Sequence, residues 1–300
     1  MVNGSALTLG GTFVLGGSDT GTGAMSIDAT SRLIVTTGTL APFTSGQLAT
    51  LNNAGLIDMS TDSSSTTDSL TVNGNYIGTG GRLALQTMLG ADNSPSDKLV
   101  VSQGTLLGAT AISITNLGGA GALTVKDGIE VVQATQGATS SVGAFSLAGP
   151  VSAGAFDYHL FRGGVTAGTE QNYYLRSTVP AQPTPDAVIT PPTPAPGTPA
   201  LPPNPGNTAI PLYRAEVPVY AVLFQAAEQI VQGMLGTYHE RVGDQRQQQQ
   251  TGVFPTGWAR VYGGNSRQSF AGTVSPTLDS SLSAFQVGSD LYATTTDSGQ

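Results

Sequence analysis

Residues able to do acid–base or nucleophilic chemistry are few and scattered in this 300-residue sequence. There is no cysteine, which removes disulfides, thiolate nucleophiles and Cys-ligated metals. Asp19-Thr20-Gly21 spells the triplet of aspartic proteases, whose chemistry needs a preceding apolar strand and a second aspartate as partner. Gly16-Gly17-Ser18 precedes it and no second triplet exists, so a turn is the better interpretation.

The two histidines also lack a convincing catalytic setting. His159 stands in an alternating Tyr-His-Leu-Phe strand pattern, which favours a packed or edge histidine over a general base. His239 lies near the end of a predicted helix, where a cation complements the helix dipole. Neither is accompanied in sequence by an arrangement of Ser and Asp that would indicate a triad.

The remaining motifs fit ligand sites poorly. Residues 118–123 begin like a calcium-binding nonapeptide, but Leu123 stands where the ligand aspartate belongs. The Gly-rich stretches lack the Gly-Lys-Ser/Thr ending of a phosphate loop. We therefore predict no catalytic, cofactor-binding or metal site in this chain, and no enzyme activity. Four aspartates in Ser/Thr-rich or Pro-containing loops are interpreted as solvated turns: Asp62, Asp68, Asp92 and Asp97.

Composition favours β structure. Charged residues make up 10% of the chain, 39% is hydrophobic and 40 residues are glycine, which suits short strands and tight turns. The net charge is −8 and the only lysines are Lys98 and Lys126, so no basic face exists for a nucleic acid. No apolar run is long enough for a transmembrane helix, and no export signal follows Met1. We expect such a signal to lie upstream of this sequence.

The first region, residues 1–179, has a short-period strand pattern. Alternating runs such as Arg32-Leu33-Ile34-Val35 and Ile112-Ser113-Ile114-Thr115 are separated by Gly-Gly, Asn-Gly and Asp-Gly turn signals. The approximate repeat favours a stacked β-helix over a sandwich. Six of the nine aromatic residues before residue 180 fall within residues 145–177. Because buried rings remove much apolar area from water, we expect residues 75–177 to be the most stable part of this stalk.

The second and third regions are a proline-rich linker and a helix. Twelve of the residues 180–211 are proline, which indicates an extended, semi-rigid tether. A ligand for a proline-binding module is the less favoured alternative. Residues 212–246 contain an amphipathic helix with apolar residues at 3-4-3-4 spacing from Val219 to Tyr238. Running from Pro218 to about Val242, the helix would be about 37 Å long at about 1.5 Å per residue, which would suit a place inside a barrel pore.

The last region, residues 247–300, returns to β structure with longer strands. Trp258–Tyr262 and Leu282–Tyr292 alternate apolar and polar residues. Phe285, Val287 and Leu291 share one face of the second strand, while Gln286 and Asp290 share the other. Apolar-out and polar-in alternation is typical of transmembrane barrels. Too few residues follow Gly257 for a complete barrel, so we expect only its first antiparallel strands.

Three stretches, in this order, resemble the distal part of a pertactin-like autotransporter, a type V secretion protein. The first stretch is similar to the end of the exported passenger, often called the autochaperone region, and comprises Gly80–Leu85, Ser94–Val101, Asp127–Val132 and Tyr173–Ser177. The second resembles the helix that threads the translocator pore and comprises Tyr213–Tyr220 and Leu235–Asp244. The third resembles the first barrel strands and comprises Gly257–Gly263 and Leu282–Tyr292. Some relatives cleave themselves at an asparagine in the pore helix, and residues 212–244 contain none.

The resemblance implies a mainly β fold: a right-handed parallel β-helix, a linker, one amphipathic helix and the first strands of an incomplete outer-membrane β-barrel. It implies a secretion and display module at the outer membrane and cell surface of a Gram-negative bacterium, with the passenger displayed or secreted. Expected partners of the complete protein are outer-membrane lipid and the barrel-assembly machinery, and the stalk is expected to be monomeric. The alternatives are an adhesin that binds host matrix or glycan through the β-helix, and a stalk for an upstream enzymatic passenger.

Overall fold

The computed structural model describes residues 3–61, 64–181, 190–203, 206–235, 256–272 and 274–290. The chain divides into two compact units, residues 1–214 and 215–300. The strands of the first unit are β1 (Ala6–Leu15), β2 (Ala24–Ile27), β3 (Arg32–Pro42), β4 (Ala49–Asn53), β5 (Leu56–Asp58), β6 (Ser69–Thr87), β7 (Lys98–Asn116), β8 (Ile129–Thr135), β9 (Thr139–Ser140), β10 (Phe145–Leu147), β11 (Val151–Ala153), β12 (Phe156–Arg162), β13 (Tyr173–Arg176), β14 (Thr178–Val179), β15 (Thr193–Pro194) and β16 (Ile210–Pro211). The second unit contains α1 (Val217–Leu235), β17 (Thr256–Ser269) and β18 (Thr277–Asp290).

Parallel pairing between successive passes of the chain makes the first unit a solenoid. Ala6 pairs with Arg32 in an early coil and Thr105 pairs with Thr139 in a late one, so the coils lengthen toward the carboxyl end. The long strand β6 pairs in turn with β3, β4 and β5, and therefore contributes to three successive faces of its coil. Shifts of register at the corners allow β6 to make these turns.

The core is a set of apolar columns that run along the solenoid axis. Because side chains alternate between the two sides of a strand, a parallel register places equivalent inward residues on top of one another. Leu33, Ile57, Leu83 and Ile112 form one such column and are fully buried. Each coil therefore buries its apolar residues against its neighbours rather than within itself, which is the property of a solenoid.

Two corners require glycine because neighbouring coils approach there through backbone atoms. A Cβ on Gly74 (φ 149°) would lie 1.9 Å from the Ala49 carbonyl oxygen. A Cβ on Gly108 (φ 85°) would lie 1.9 Å from the Gly78 carbonyl oxygen. Both positions combine a positive φ with backbone contact from the preceding coil, so any larger residue would push the coils apart.

The second unit consists of helix α1 and an antiparallel hairpin. Strands β17 and β18 pair without interruption from Thr256 with Asp290 to Ser269 with Thr277. Arg260 donates a hydrogen bond from Nη2 to the Gly233 carbonyl (2.8 Å), and Gln286 donates from Nε2 to the Met234 carbonyl (3.0 Å). These side chains occupy carbonyls near the end of the helix that have no later backbone donor within it. No helix among the described residues is long and apolar enough to cross a membrane.

The predicted mainly β fold with a parallel β-helix and a single helix is confirmed. The hairpin also shows the predicted alternation: Val261, Phe285 and Val287 are exposed, whereas Arg260 and Gln286 point toward the helix. The residues 236–255 and 291–300, on which part of the helix and strand predictions fall, lie outside the described residues. The domain bounds at residues 179, 211 and 246 stay predictions.

The proline-rich segment differs from a free tether in its described parts. The first compact unit extends to Arg214. Thr193 and Pro194 pair with β12, and Ile210 and Pro211 pair with β14. Proline lacks an N–H but keeps its carbonyl and accepts an extended φ, so it can lie at the edge of a sheet when its neighbours supply the donors.

Candidate functional site at the solenoid cap

The carboxyl end of the solenoid is closed by a layer of antiparallel strands. After β10 the chain turns back through β11, β12 and β13, and β13 pairs antiparallel with β8 of the last coil. This antiparallel layer, here called the cap, covers a solenoid end that would otherwise expose unpaired backbone groups and the ends of the apolar columns. Among the described residues, buried aromatic side chains are concentrated in and directly beneath the cap.

Aromatic side chains fill the interior beneath the cap. Tyr76 and Phe145 are stacked with ring centroids 5.6 Å apart, and Tyr173 meets Phe145 edge-on at 5.0 Å. All three rings are fully buried, and they link an inner coil, the last coil and the cap. Burial raises the pKa of Tyr173 to about 12. The arrangement contributes packing rather than reactivity, because a phenol with a raised pKa stays neutral at physiological pH.

Hydroxyl groups of buried tyrosines are paired with groups of neighbouring coils. Tyr158 Oη lies 2.8 Å from the Gly90 carbonyl oxygen and 2.9 Å from the Ala122 carbonyl oxygen, which share its one hydroxyl proton, and it accepts from the Ala122 N–H at 2.9 Å. Its pKa is raised by burial. Tyr76 Oη lies 2.8 Å from the Thr110 hydroxyl and accepts from Asn53 Nδ2 at 3.1 Å. These contacts join residues that are 23 to 68 positions apart in the sequence.

Two aspartates fix the loops around the cap by accepting from backbone N–H groups. Asp92 accepts from the N–H groups of Val125, Lys126 and Gly128 at 2.7–2.9 Å. Asp127 Oδ1 accepts from the N–H groups of residues 165 and 166 at 2.6 and 2.8 Å. Each carboxylate thus holds a loop that belongs to the next pass of the chain, and charge-assisted bonds of this kind are stronger than neutral ones.

Arg176 is the largest fully buried side chain in the described part of the structure. Its Nη1 donates to the Lys126 carbonyl, while Nε and Nη2 have no hydrogen-bond partner among the residues that the structure describes. Burial lowers the pKa of Arg176 to about 10, and the charges of Asp92 and Asp127 oppose that shift. The guanidinium therefore stays protonated at neutral pH, beneath the two loops that those aspartates hold.

Glu130 lies at the centre of a polar cluster on three adjacent strands. Its Oε2 accepts from Lys98 Nζ at 2.9 Å, and its Oε1 accepts from Asn172 Nδ2 at 2.9 Å and from Tyr174 Oη at 3.2 Å. Burial, assisted by the nearby carboxylates, raises the pKa of Tyr174. The cluster connects β7, β8 and the segment leading into β13, so it joins the last coil to the cap.

The expectation of solvated turns is wrong for Asp97 and Asp68. Asp97 is fully buried and accepts from the N–H groups of Asp68 (2.9 Å) and Gln86 (2.7 Å). Burial raises the pKa of Asp97 to about 6, and the nearby Asp68 contributes to the shift. The physical reason for the burial is that the carboxylate substitutes for missing strand partners where β7 begins. Asp92 is half-buried, and Asp62 lies outside the described residues.

The other sequence candidates lie apart from the cap interior and from one another. Asp19 lies in an exposed turn where its Oδ1 accepts from the Ser18 hydroxyl at 3.3 Å. His159 lies in β12 and is half-buried, as predicted for a packed or edge histidine; burial lowers its pKa and Asp157 partly offsets this. His239 lies outside the described residues. Within the described ranges, His, Asp and Glu side chains form no group of three that could hold a metal ion.

Sequence reasoning missed Arg176 in the cap and Glu130 in the last coil, and it placed Asp97, directly before β7, in a solvated turn. Their nearest partners in space lie 11 to 50 positions away, so no local spacing could have identified them. The one available signal was the scarcity of charge itself. In a chain with only 10% charged residues, a charged residue inside an apolar strand run needs a structural reason.

The fold and the cap define a class of protein: a parallel β-solenoid whose carboxyl end is closed by an antiparallel layer. Residues 46–160 match the model of Autochaperone Domain Type 1. This match covers β4 to most of β12, which are the last coils and the first strands of the cap. The predicted resemblance to autotransporters is confirmed, and the chain contains an autochaperone region.

Several proteins, among them two autotransporter adhesins, are similar to this chain. The adhesin BmaC autotransporter of Brucella suis biovar 1 (strain 1330) is 34% identical over 322 aligned residues, which cover 99% of this chain and 8% of that protein. The uncharacterized protein YdeU of Escherichia coli (strain K12) is 35% identical, over 74% of this chain and 44% of its own length. The autotransporter adhesin AIDA-I of Escherichia coli is 36% identical, over 39% of this chain and 9% of its own length. The chain thus spans less than half the length of these relatives.

Proposed function

We propose that this chain is the membrane-proximal end of an autotransporter passenger together with the beginning of its translocator. The solenoid serves as a stalk that displays more distal parts of the passenger at the surface of a Gram-negative bacterium. The cap nucleates folding of the stalk, and the second unit takes part in carrying the passenger across the outer membrane. The similarity to autotransporter adhesins supports the coarser statement of a stalk or adhesin role.

The observation that carries the proposal is the construction of the cap. A solenoid needs one end coil that is stable without a neighbour beyond it. Here that end holds the ring stack of Tyr76, Phe145 and Tyr173 and the buried hydrogen bonds of Tyr158 and Arg176. Once the cap has formed, it holds the last coil in place. The other edge of that coil is still unpaired and serves as a template, so that each earlier coil gains a partner as it folds.

The second unit supports a role in translocation. Helix α1 has no buried residue within the described structure, and its large apolar side chains, such as Phe224 and Leu235, are exposed. The hairpin turns apolar side chains outward and places Arg260 and Gln286 toward the helix. Such alternation suits strands with lipid on one face and a polar, helix-occupied interior on the other. Outer-membrane lipid and the barrel-assembly machinery are the corresponding partners.

A second candidate function is binding of a host matrix or glycan through the solenoid surface. The observation that favours it is the similarity to two relatives that are named as adhesins. On the described solenoid the large exposed aromatic residues before the cap are Phe13 and Phe43, both in early coils. A glycan-binding role would use rings of this kind as stacking surfaces.

Pulse-labelled amide exchange during refolding of this chain tests the nucleating role. We expect the amides of β8, β12 and β13 to gain protection before those of β1 to β4, because the early coils need a formed neighbour. Protection that appears first in β1 to β4, or in all strands at once, would contradict nucleation by the cap.

Surface display is tested in cells that make the complete protein. An epitope inserted at Gly46, in an exposed turn of an early coil, should be recognised by antibody on intact cells. The matched control carries the same epitope and Phe145→Ala, which should reduce the surface signal because the cap core is lost. Antibody binding to permeabilised cells, with none on intact cells, would contradict display.

A further inference from the structure

The chain returns to the cap after the proline-rich stretch. Residues 190–203 and 206–214 are here called the strap. Thr193 and Pro194 pair antiparallel with Arg162 and Phe161 of β12. Further along, residues 210 and 211 pair with β14. The strap therefore adds strands to two places on the cap, although it is separated from the cap in sequence by a run typical of linkers.

The non-proline residues of the strap donate its backbone hydrogen bonds. The Ala195 N–H donates to the Leu160 carbonyl at 2.9 Å, and the Leu212 N–H donates to the Ser177 carbonyl at 2.8 Å. The Arg214 N–H donates to the carbonyl of residue 155 at 3.0 Å. In the other direction, the Asp157 N–H donates to the Leu212 carbonyl at 2.9 Å. The strap therefore both donates and accepts backbone hydrogen bonds, as a strand does when it is added to the edge of a sheet.

Two apolar anchors lie at the ends of this contact. Ala195 and Leu212 are buried, with 3% and 6% of their surfaces exposed. Tyr213 stacks on Phe156 with ring centroids 5.3 Å apart. Between the anchors, Pro196 and Pro199 form one wall of a groove of 280 Å³ whose other wall includes Leu147, Val151 and His159. The strap therefore contacts the cap at two ends and bridges a groove between them.

Proline content favours this mode of attachment. Proline has few backbone conformations in the unfolded chain, so ordering a proline-rich segment against a surface costs less conformational entropy than ordering an ordinary one. The composition that predicts an extended tether also suits a strap that is already extended when it meets the strand edges of the cap.

We propose that residues 190–203 and 206–214 are an intramolecular strap that completes the cap and keeps residues 1–181 attached to the rest of the chain when the intervening backbone is cut. The folding unit of the autochaperone region then ends at Arg214, beyond the family match that ends at residue 160. This inference concerns attachment, and it holds whether or not the cap folds first.

A site-specific cut tests the strap. In the full chain, residues 183–188 are replaced by a recognition sequence for tobacco etch virus protease, flanked by Gly and Ser. After complete cutting, we expect the two pieces to co-elute in gel filtration and to separate only in denaturant. Leu212→Asp should release the pieces, because it places a charge at a buried anchor. Thr208→Ala, at an exposed strap position, should leave them together.

Separation of the pieces in the parent chain would overturn the proposal. Co-elution that Leu212→Asp does not change would also overturn it, because the attachment would then lie elsewhere. Amide exchange of the uncut chain provides a readout that does not depend on a variant. We expect at least about tenfold slower exchange at Ala195, Leu212 and Arg214 than at Asn207 and Thr208. Equal, fast exchange at all five amides would show that no strap is formed.

Discussion

The early coils and the cap of the solenoid are built in different ways. In the first coils the core side chains are aliphatic, as Leu33 and Leu40 are, and side-chain bonds between coils join uncharged polar groups, as from Asn52 Nδ2 to the Ser26 hydroxyl. Near the cap, Phe145 and Tyr173 are fully buried, and carboxylates hold the loops in place. The early coils depend on backbone pairing and aliphatic columns, whereas the cap adds rings and charged bonds.

This difference shows which part of a solenoid needs a stable core of its own. Each early coil can be exchanged for a similar one, because its stability comes mainly from its neighbours. The cap has a neighbour on one side only, so it needs its own core. Substitutions in the two regions should therefore differ in how many coils they destabilise as well as in how much. A destabilised cap should destabilise every coil that is stacked upon it, whereas a destabilised early coil should affect mainly that coil.

The largest expected effect is that of Phe145→Ala. The side chain is fully buried between Tyr76 and Tyr173, so its removal should lower the free energy of unfolding of the first unit by about 3–5 kcal/mol. Urea unfolding followed by far-ultraviolet circular dichroism gives the value. We expect amide protection to fall in the early coils as well as in β8 and β13.

Phe43→Ala is the matched control for that substitution. Phe43 is 52% exposed and lies in an early coil, so its loss should change the free energy of unfolding by about 0.5 kcal/mol or less. If both variants were equally destabilised, the cap would have no special place in the stability of the solenoid.

The coiled part of the fold could be predicted from the sequence because it depends on local patterns. Runs such as residues 32–35 and 112–115 alternate, and glycine turn signals separate them. In the structure these runs lie in one register column, through Leu33 and Ile112. The concentration of aromatic residues within residues 145–177 also indicated the position of the cap core, because such a cluster of rings is unusual in a chain of small residues.

The polar part of the cap could not be predicted in this way. The same holds outside the cap, directly before β7, where the neighbours Ser, Pro and Lys predict a solvated Asp97. Its carboxylate instead accepts bonds from the N–H groups of Gln86 on β6 and of Asp68 in the preceding loop. Arg176 is buried because the chain folds back upon residue 126, 50 positions earlier. The composition of the strap predicts a tether, because composition indicates the conformation of a segment but not the surface against which it lies.

A second, smaller effect concerns pH. Burial raises the pKa of Asp97 to about 6, above its usual 3.8, so the folded state holds this proton more tightly than the unfolded state. The stability linked to it is complete below about pH 3.8 and is lost as the pH rises through 6. Relative to Asp97→Asn, the parent chain should lose at most about 3 kcal/mol of unfolding free energy between pH 4 and pH 7.5. Urea titrations at several pH values measure this difference.

Asp28 in an early coil gives the opposite sign and serves as the control. Hydrogen bonds from the Thr30 side chain and backbone hold the pKa of this half-buried carboxyl below its usual value. Its stabilising effect is therefore present at neutral pH and is lost as the pH falls through its folded-state pKa. The difference in free energy of unfolding between the parent chain and Asp28→Asn should shrink as the pH falls. The difference between the parent chain and Asp97→Asn should instead grow in favour of the parent chain. The same direction for both variants would contradict the burial of Asp97.

The smallest expected effect belongs to the ion pair of Lys98 and Glu130, which joins β7 to β8 beside the cap. The Lys98 side chain is 38% exposed and that of Glu130 is 16% exposed, with Nζ and Oε2 2.9 Å apart. A partly exposed pair contributes little, because water and salt screen it, and Glu130 keeps its bonds from Asn172 and Tyr174 when the lysine is removed. Lys98→Met, which preserves the apolar stem, should lower the free energy of unfolding by less than about 1 kcal/mol, and adding salt to about 1 M should reduce that cost further.

Lys126→Met, at an exposed position in the neighbouring loop, controls for the change in net charge. A cost of several kcal/mol that salt does not alter would mean that the cap depends on this charge, and that its difference from the early coils is mainly electrostatic rather than a matter of buried rings.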